Sequence, residues 1–384
     1  MPATRSPVPY RARATSRGTV VAETGAAVRV DPDEEAPQLW FPRADVDAAA
    51  LDRLDAGSWR AGDGDLGGHV AFDHAQVELV LVDARDGDDE RDVTAKRFPT
   101  WGDATDLIAV LDVRPDGELR YRSEGRADWR RPVVEGSQML GQAIVAAGRH
   151  APGRRAVSAS MVFTRAADAQ QPYCIDLDEV SAGRTFTALA ARAVQGGRTC
   201  AAGTLLLDAT APDVIRHADA APDLPGPYEA VPFDMAVTGR DLRVVDGAYT
   251  GDPDAPLGPP ELAAWVRVRD VPADAPLHAG LVAQFTGHMS IAAALRPHAG
   301  IGQDQAHRTL STAINAISLS LHAEVRADRW LLYHHRSTFA GDGMTHAECQ
   351  VYDEDRALVA SFAVDAMVRA FADPRRSPDE RTAL

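Results

Sequence analysis

Short alternations of apolar and polar residues dominate the chain and predict strands far more often than helices. Between Gly18 and Ala84, TVVAE and AAVRV read as a hairpin, QLWFP as another strand, and HVAFDHAQVELVLVDA as a further pair. The helical signal in this block is confined to ADVDAAALDRL, with Asp45 expected as its cap and Asp47 near the first turn. The charged run DARDGDDERD, from Asp83 to Asp92, closes the block as a solvated linker.

From about Lys96 the pattern changes. A helical stretch, GDATDLIAVLDV, and a strand, ELRYRSEG, lead to EGSQMLGQAIVAAGRH, a helix rich in Gly and Ala. Four strands with Gly-containing turns follow: RAVSASMVFTR, QPYCIDLDEV, RTFTALAARAVQ and TCAAGTLLLDA. After a Pro/Ala/Asp-rich connector the same order returns. The strand ELAAWVRVRD precedes the helix LHAGLVAQFTGHMSIAAALRPHAG and a second run of four strands ending in ALVASFAVDAMVRAF. Helix first, then an antiparallel meander, twice at similar length, predicts an internal structural duplication. Small side chains at Gly141, Ala143, Ala146 and Ala147 suit a helix sunk in a concave sheet, with Met139, Ile144 and Val145 filling the remaining volume. The pattern fits a pair of hotdog domains or another α+β sandwich with buried helices.

Composition narrows the chemistry. The 384 residues suffice for two or three domains at roughly 100–200 residues each. A net charge of −16 argues against nucleic acid as the main ligand, because phosphate binding needs a basic face. Cys174, Cys200 and Cys349 are dispersed, so neither a disulfide framework nor a metal site is expected, and a reducing cytoplasm fits. No apolar run approaches a membrane span, and residues 1–17 read as a flexible tail without a secretory signal. GDGDLGG, Gly62 to Gly68, reads as a turn, and the neighbours His334 and His335 should face opposite sides of their strand.

Several runs carry a resemblance. EGSQMLGQAIVAA resembles the GGQxxxQAxxAA helix of the acyl-CoA thioesterase II family, a double-hotdog group, and SAGRTFTALAARAVQGG resembles its strand–turn–strand segment. In the second half AAWVRV, ALRPHAGIG, RWLLYHHRSTFAGDG and ALVASFAVDAMVR match the family in order, so the resemblance covers about residues 97–371. It implies an α+β fold of two central helices, each wrapped by antiparallel sheet. The expected boundaries are a β-rich domain at 18–92, hotdogs at 93–210 and 233–372, a linker at 211–232 and a tail at 373–384. TVVAETGAAVRV, LWFPRADVDAAAL and GHVAFD resemble a small β-rich family of unassigned function, truncated here. The resemblance further implies a soluble enzyme of lipid metabolism that needs no cofactor. Its substrate would be a small acyl-CoA or phosphopantetheine thioester, and its oligomers would form by further pairing of such units.

The family's water-holding Asp, Thr/Ser and Gln fall, by ungapped matching, at Gly287, Ile314 and Val364, so that triad is absent. Thr312 stands in for the hydroxyl if the preceding loop carries an insertion. Other groups must then do the chemistry. Gly136 and Ser137 would offer free N–H groups at a helix N-terminus to a thioester carbonyl, with Gln138 orienting local hydrogen bonds. Glu135 beside them is a general-base candidate, or a solvated acid that favours a helix N-terminus. His288 is the second candidate: with Thr286 capping the second central helix, Gly287 and His288 would lie in its first turn. A histidine with an ordinary satisfied hydrogen bond is the competing reading. Asp365 should point away from the site. Three activities remain open on these residues: thioester hydrolysis, dehydration or hydration by a Glu–His pair, and acyl-CoA binding without catalysis.

Overall fold

The computed structural model describes residues 4–31, 37–84, 90–100, 102–125, 133–252 and 254–371. The tail expected at 373–384 and half of the charged run 83–92, at 85–89, lie outside the described residues. The chain forms two units: residues 1–104 with 232–241, and residues 105–231 with 242–384.

The first unit corrects the expected tail. Thr4–Pro7 and Arg11–Ser16 are strands, not a flexible segment. In RARATS the alternation has period two: Ala12 and Ala14 enter the core while Arg11 and Arg13 pair with Glu23 at 3.1 and 2.8 Å. The expected hairpin is also wrong. Thr19–Thr24 pairs with Arg11–Ser16, and Val28–Asp31 pairs with Thr4–Pro7 in a different sheet. Two sheets of five and four strands enclose a core that includes Leu39, Phe41, Phe72 and Leu79. Asp47, not Asp45, caps the short helix Ala48–Leu51, accepting from the N–H groups of Ala49 and Ala50; Asp45 accepts from Thr24 Oγ1 at 2.6 Å. Residues 232–241, expected as the end of the linker and the start of the second hotdog, complete this unit. There the Gly239 N–H donates to Asp83 and the Arg97 N–H donates to Asp234.

The second unit contains both meanders. Its first half runs through β1 (Arg120–Ser123), α1 (Gly136–His150), β2 (Arg155–Phe163), β3 (Tyr173–Ala182), β4 (Phe186–Gln195) and β5 (Arg198–Asp208). Its second half runs through β6 (Glu261–Val268), α2 (Ala275–Phe285), α3 (Ser290–Leu295), β7 (Leu310–Leu321), β8 (Leu331–Gly341), β9 (Met344–Tyr352) and β10 (Leu358–Ala370). These strands lie in the order β1-β3-β4-β5-β2-β7-β10-β9-β8-β6. Each half therefore places its strands identically about the β2–β7 seam, where Ser160 faces Ser318. That palindromic order is the duplication predicted from the repeated helix-then-meander pattern.

The helix surfaces explain the Gly/Ala sequence of α1 more fully than a concave sheet alone. A Cβ on Gly141 would come 2.5 Å from the carbonyl oxygen of Gly280 in α2. A Cβ on Gly280 would come 2.7 Å from Val145, and one on Gly148 would come 2.7 Å from Pro276. The glycines thus form an antiparallel contact with α2, while Ala143, Ile144, Ala146 and Ala147 are buried around them. Gln138 and Gln142 turn into a buried polar network. Gln138 donates to the Tyr173 hydroxyl at 3.1 Å, that hydroxyl donates to Gln142, and Gln142 donates to Ser123 and to the Val110 carbonyl. Burial pushes the Tyr173 pKa up, so the hydroxyl stays a proton donor.

On β8 the two histidines part as expected. His334 lies 3.6 Å from Glu261, whereas His335 is fully buried, with Nδ1 3.3 Å from Cys349 Sγ and 3.4 Å from Ser290 Oγ. Burial lowers the His335 pKa from 6.5 to about 3. Between those values the unfolded chain binds the extra proton, so stability is complete above pH 6.5 and is lost as the pH falls. The slope is about 1.4 kcal/mol per pH unit. Denaturant melts of His335→Phe from pH 7 to 4 should show a shallower acid loss than the native chain; an unchanged slope would assign that loss elsewhere.

Candidate functional site

α1 begins at Gly136 with Glu135 as its N-cap residue in an extended conformation. Glu135 makes no side-chain cap bond, so its carboxylate is not consumed by the helix end. Because α1 and α2 run antiparallel, this N-terminus meets the C-terminus of α2. There Gln284 Nε2 lies 3.0 Å from Glu135 Oε2 and 3.3 Å from His288 Nε2. Glu135 Oε2 and His288 Nε2 are 3.7 Å apart, with side chains 27% and 14% exposed. The two acid/base residues expected from sequence, 153 positions apart by subtraction of their numbers, therefore face each other across the two halves.

The route by which His288 arrives differs from the expectation. The second central helix is broken. Thr286 is the C-cap of α2, its Oγ1 donating to the Ala283 carbonyl at 2.6 Å, and α3 starts only at Ser290 after Met289 with φ 68°. Thr286 is fully buried in that bond and does not cap a helix N-terminus. His288 lies in the break, its N–H donating to the Phe285 carbonyl and its ring 4.9 Å from that of Phe285. It thus lies past the negative, C-terminal end of α2 and not in the first turn of a helix, where it is expected.

At Gly136 and Gly287 a side chain would force a neighbour to move. A Cβ on Gly136 would lie 2.7 Å from the Phe163 ring, and one on Gly287 would lie 2.3 Å from Ser137 Oγ. The second contact leaves no space for an aspartate side chain at 287 unless Ser137 moves. Where the resemblance implies Gly and Asp, this chain carries Ser137 and Gly287, and the serine hydroxyl takes the space. Ile314 stands opposite Ala366 and Val364 opposite Ile317, so the two other triad positions are apolar. Thr312 is buried opposite Val368, and the contacts joining Glu135, Gln284 and His288 do not include it. Gln138 belongs to the Tyr173 network. Asp365 pairs with His346 at 2.7 Å on the exposed side.

Gln284 escaped the sequence reading. Its sequence signal is the spacing of four from His288, which an unbroken helix would put on one face; the two side chains meet although α2 ends between them. The Gly136 and Ser137 N–H groups lie in the first turn of α1, where helix geometry leaves donors without an intrahelical carbonyl. Among the described residues no group of three or more His, Cys, Asp or Glu side chains is arranged to hold a metal ion, and no helix is long and apolar enough to cross a membrane.

Both halves of the chain are similar to known proteins. Residues 126–207 match the family model described as the acyl-CoA thioesterase N-terminal domain, and residues 215–368 match that of the C-terminal domain. Acyl-coenzyme A thioesterase 8 of Mus musculus is 25% identical over 305 residues, covering 72% of this chain and 93% of that protein. The crystal structure of an acyl-CoA thioesterase II, TesB2, from Mycobacterium marinum has a TM-score of 0.59 at 26% identity, covering 69% of this chain and 99% of that one. A conserved protein of unknown function with a hot dog fold from Alicyclobacillus acidocaldarius has a TM-score of 0.57 at 16% identity, covering 70% and 99%, a likeness of fold alone. With its two halves matched in order by the two domains of one family, this double-hotdog chain belongs to the acyl-CoA thioesterases.

Proposed function

We propose that the chain hydrolyses acyl-CoA thioesters, using Glu135 and His288 in place of the family's usual triad. The observation that carries this reading is the 3.7 Å approach of Glu135 Oε2 to His288 Nε2 at the N-terminus of α1. A water above the triangle of Glu135, Gln284 and His288 can lie about 2.8 Å from the carboxylate and the imidazole together. The thioester oxygen would accept from the Gly136 and Ser137 N–H groups, which stabilise the negative charge that develops there.

In that pose the water oxygen attacks the carbonyl carbon and its proton passes to Glu135. Collapse of the tetrahedral intermediate breaks the C–S bond, and the departing sulfur takes the proton back. One water and one thioester give one carboxylic acid and one thiol. His288 aligns the water through its ring nitrogen and shares the proton's path. The acyl chain would lie along the apolar interior between helix and sheet.

Incubation with a panel of acyl-CoA esters of graded length, with free thiol and enoyl absorbance followed together, tests the reading. Thiol release that depends on the protein is expected. Enoyl change without thiol release would assign dehydration or hydration to the same pair, and binding without either would make the chain a carrier.

A further inference from the structure

We infer that the Ser137 side chain holds the attacking water, a role separate from that of its backbone N–H. The inference rests on the thioesterase reading of this site and names the group that orients the nucleophile. Ser137 is 2% exposed and lies in the first turn of α1. Its Oγ is 2.3 Å from the point that a Cβ on Gly287 would occupy, and the Gln284 carbonyl oxygen is 3.9 Å from that point. Glu135 ends on the same stretch, with Gln284 Nε2 at 3.0 Å and His288 Nε2 at 3.7 Å. The carboxylate and the hydroxyl, both from the start of α1, thus converge on residues 284–288, where α2 ends.

Among the described residues none is hydrogen-bonded to the Ser137 hydroxyl, although the side chain is buried. A buried hydroxyl without a partner is destabilising, and alanine, which fits the same space, would avoid that loss. The hydroxyl gains its partner when it binds the reacting water. A water that attacks a carbonyl presents one lone pair to carbon and gives one hydrogen to its base. One hydrogen and one lone pair then remain to be held. A hydroxyl can accept the first or donate to the second, whatever the charge on its neighbours. The same hydroxyl is not the nucleophile, because attack by serine needs a base hydrogen-bonded to Oγ, and none is.

Ser137→Ala tests this through thiol release from an acyl-CoA panel and a thermal melt. The variant should match or exceed native stability, because it removes an unpaired hydroxyl and alanine favours the helix. Its kcat should fall about 10- to 100-fold with a much smaller change in KM, as expected when water and not substrate is misplaced. Acid-quenched turnover followed by mass spectrometry should show no acyl group on the native chain. A folded Ser137→Ala with native kcat would make the serine a packing residue and overturn the inference while hydrolysis stands. An acyl group on Ser137 would overturn it too, by making the serine the nucleophile. A native chain that releases no thiol from any acyl-CoA would remove the thioesterase reading and this inference together.

Discussion

Glu135→Gln should lower kcat for thioester hydrolysis on the order of 10²- to 10⁴-fold, the range general-base catalysis contributes, and leave the fold intact. The amide is nearly isosteric with the carboxylate, and Glu135 makes no cap bond that α1 would lose. What disappears is the group that takes the water's proton. Substrate affinity should change little, because the Gly136 and Ser137 N–H groups remain. The assay is steady-state thiol release with circular dichroism as the control. Full turnover by a folded Glu135→Gln would remove Glu135 from the chemistry.

Gly287→Asp, which restores the acid the family resemblance implies, should damage the protein. The new Cβ would meet Ser137 Oγ at 2.3 Å, in a contact where Ser137 is 2% exposed and has little room to retreat. Overpacking of this kind costs about 1–3 kcal/mol. Catalysis should suffer more, because the clash pushes the start of α1 from the end of α2, and a shift near 1 Å in a reacting geometry can cost about 10²-fold. Ser137→Gly in the same chain removes the opposing hydroxyl and should recover most of the stability. Thermal melts and kcat for the single and double variants measure both effects. A single variant as stable and active as the native chain would show that the close approach does not govern the site.

The duplicated helix-then-meander order was readable because burial on one face imposes period two on strands and leaves Gly and Ala where backbones approach. Glu135 and His288 were readable as residue types at suspicious places, but their meeting was not. It depends on the antiparallel packing of α1 and α2 through Gly141 and Gly280, contacts that leave no periodic mark distinguishing a helix partner from a sheet. The break after Thr286 was missed for a related reason. No proline interrupts FTGHMS, and the turn depends on Met289 adopting a positive φ that tertiary packing imposes. Gln284 gives no sign of its role in the sequence, because an amide beside apolar neighbours reads as helix polarity until Glu135 and His288 are seen on either side of it. In the first unit the Arg/Ala alternation of RARATS is a strand signal in its own right, obscured by the basic, Pro-flanked sequence around it.

The central claim is that Glu135 and His288 act on one water as a single unit. A double-mutant cycle of Glu135→Gln and His288→Ala on kcat/KM for acyl-CoA hydrolysis measures this most directly. Residues that work as a unit are strongly non-additive, so the double variant should be scarcely slower than the slower single variant. Losses that multiply, or two single variants that each keep native turnover, would contradict the account.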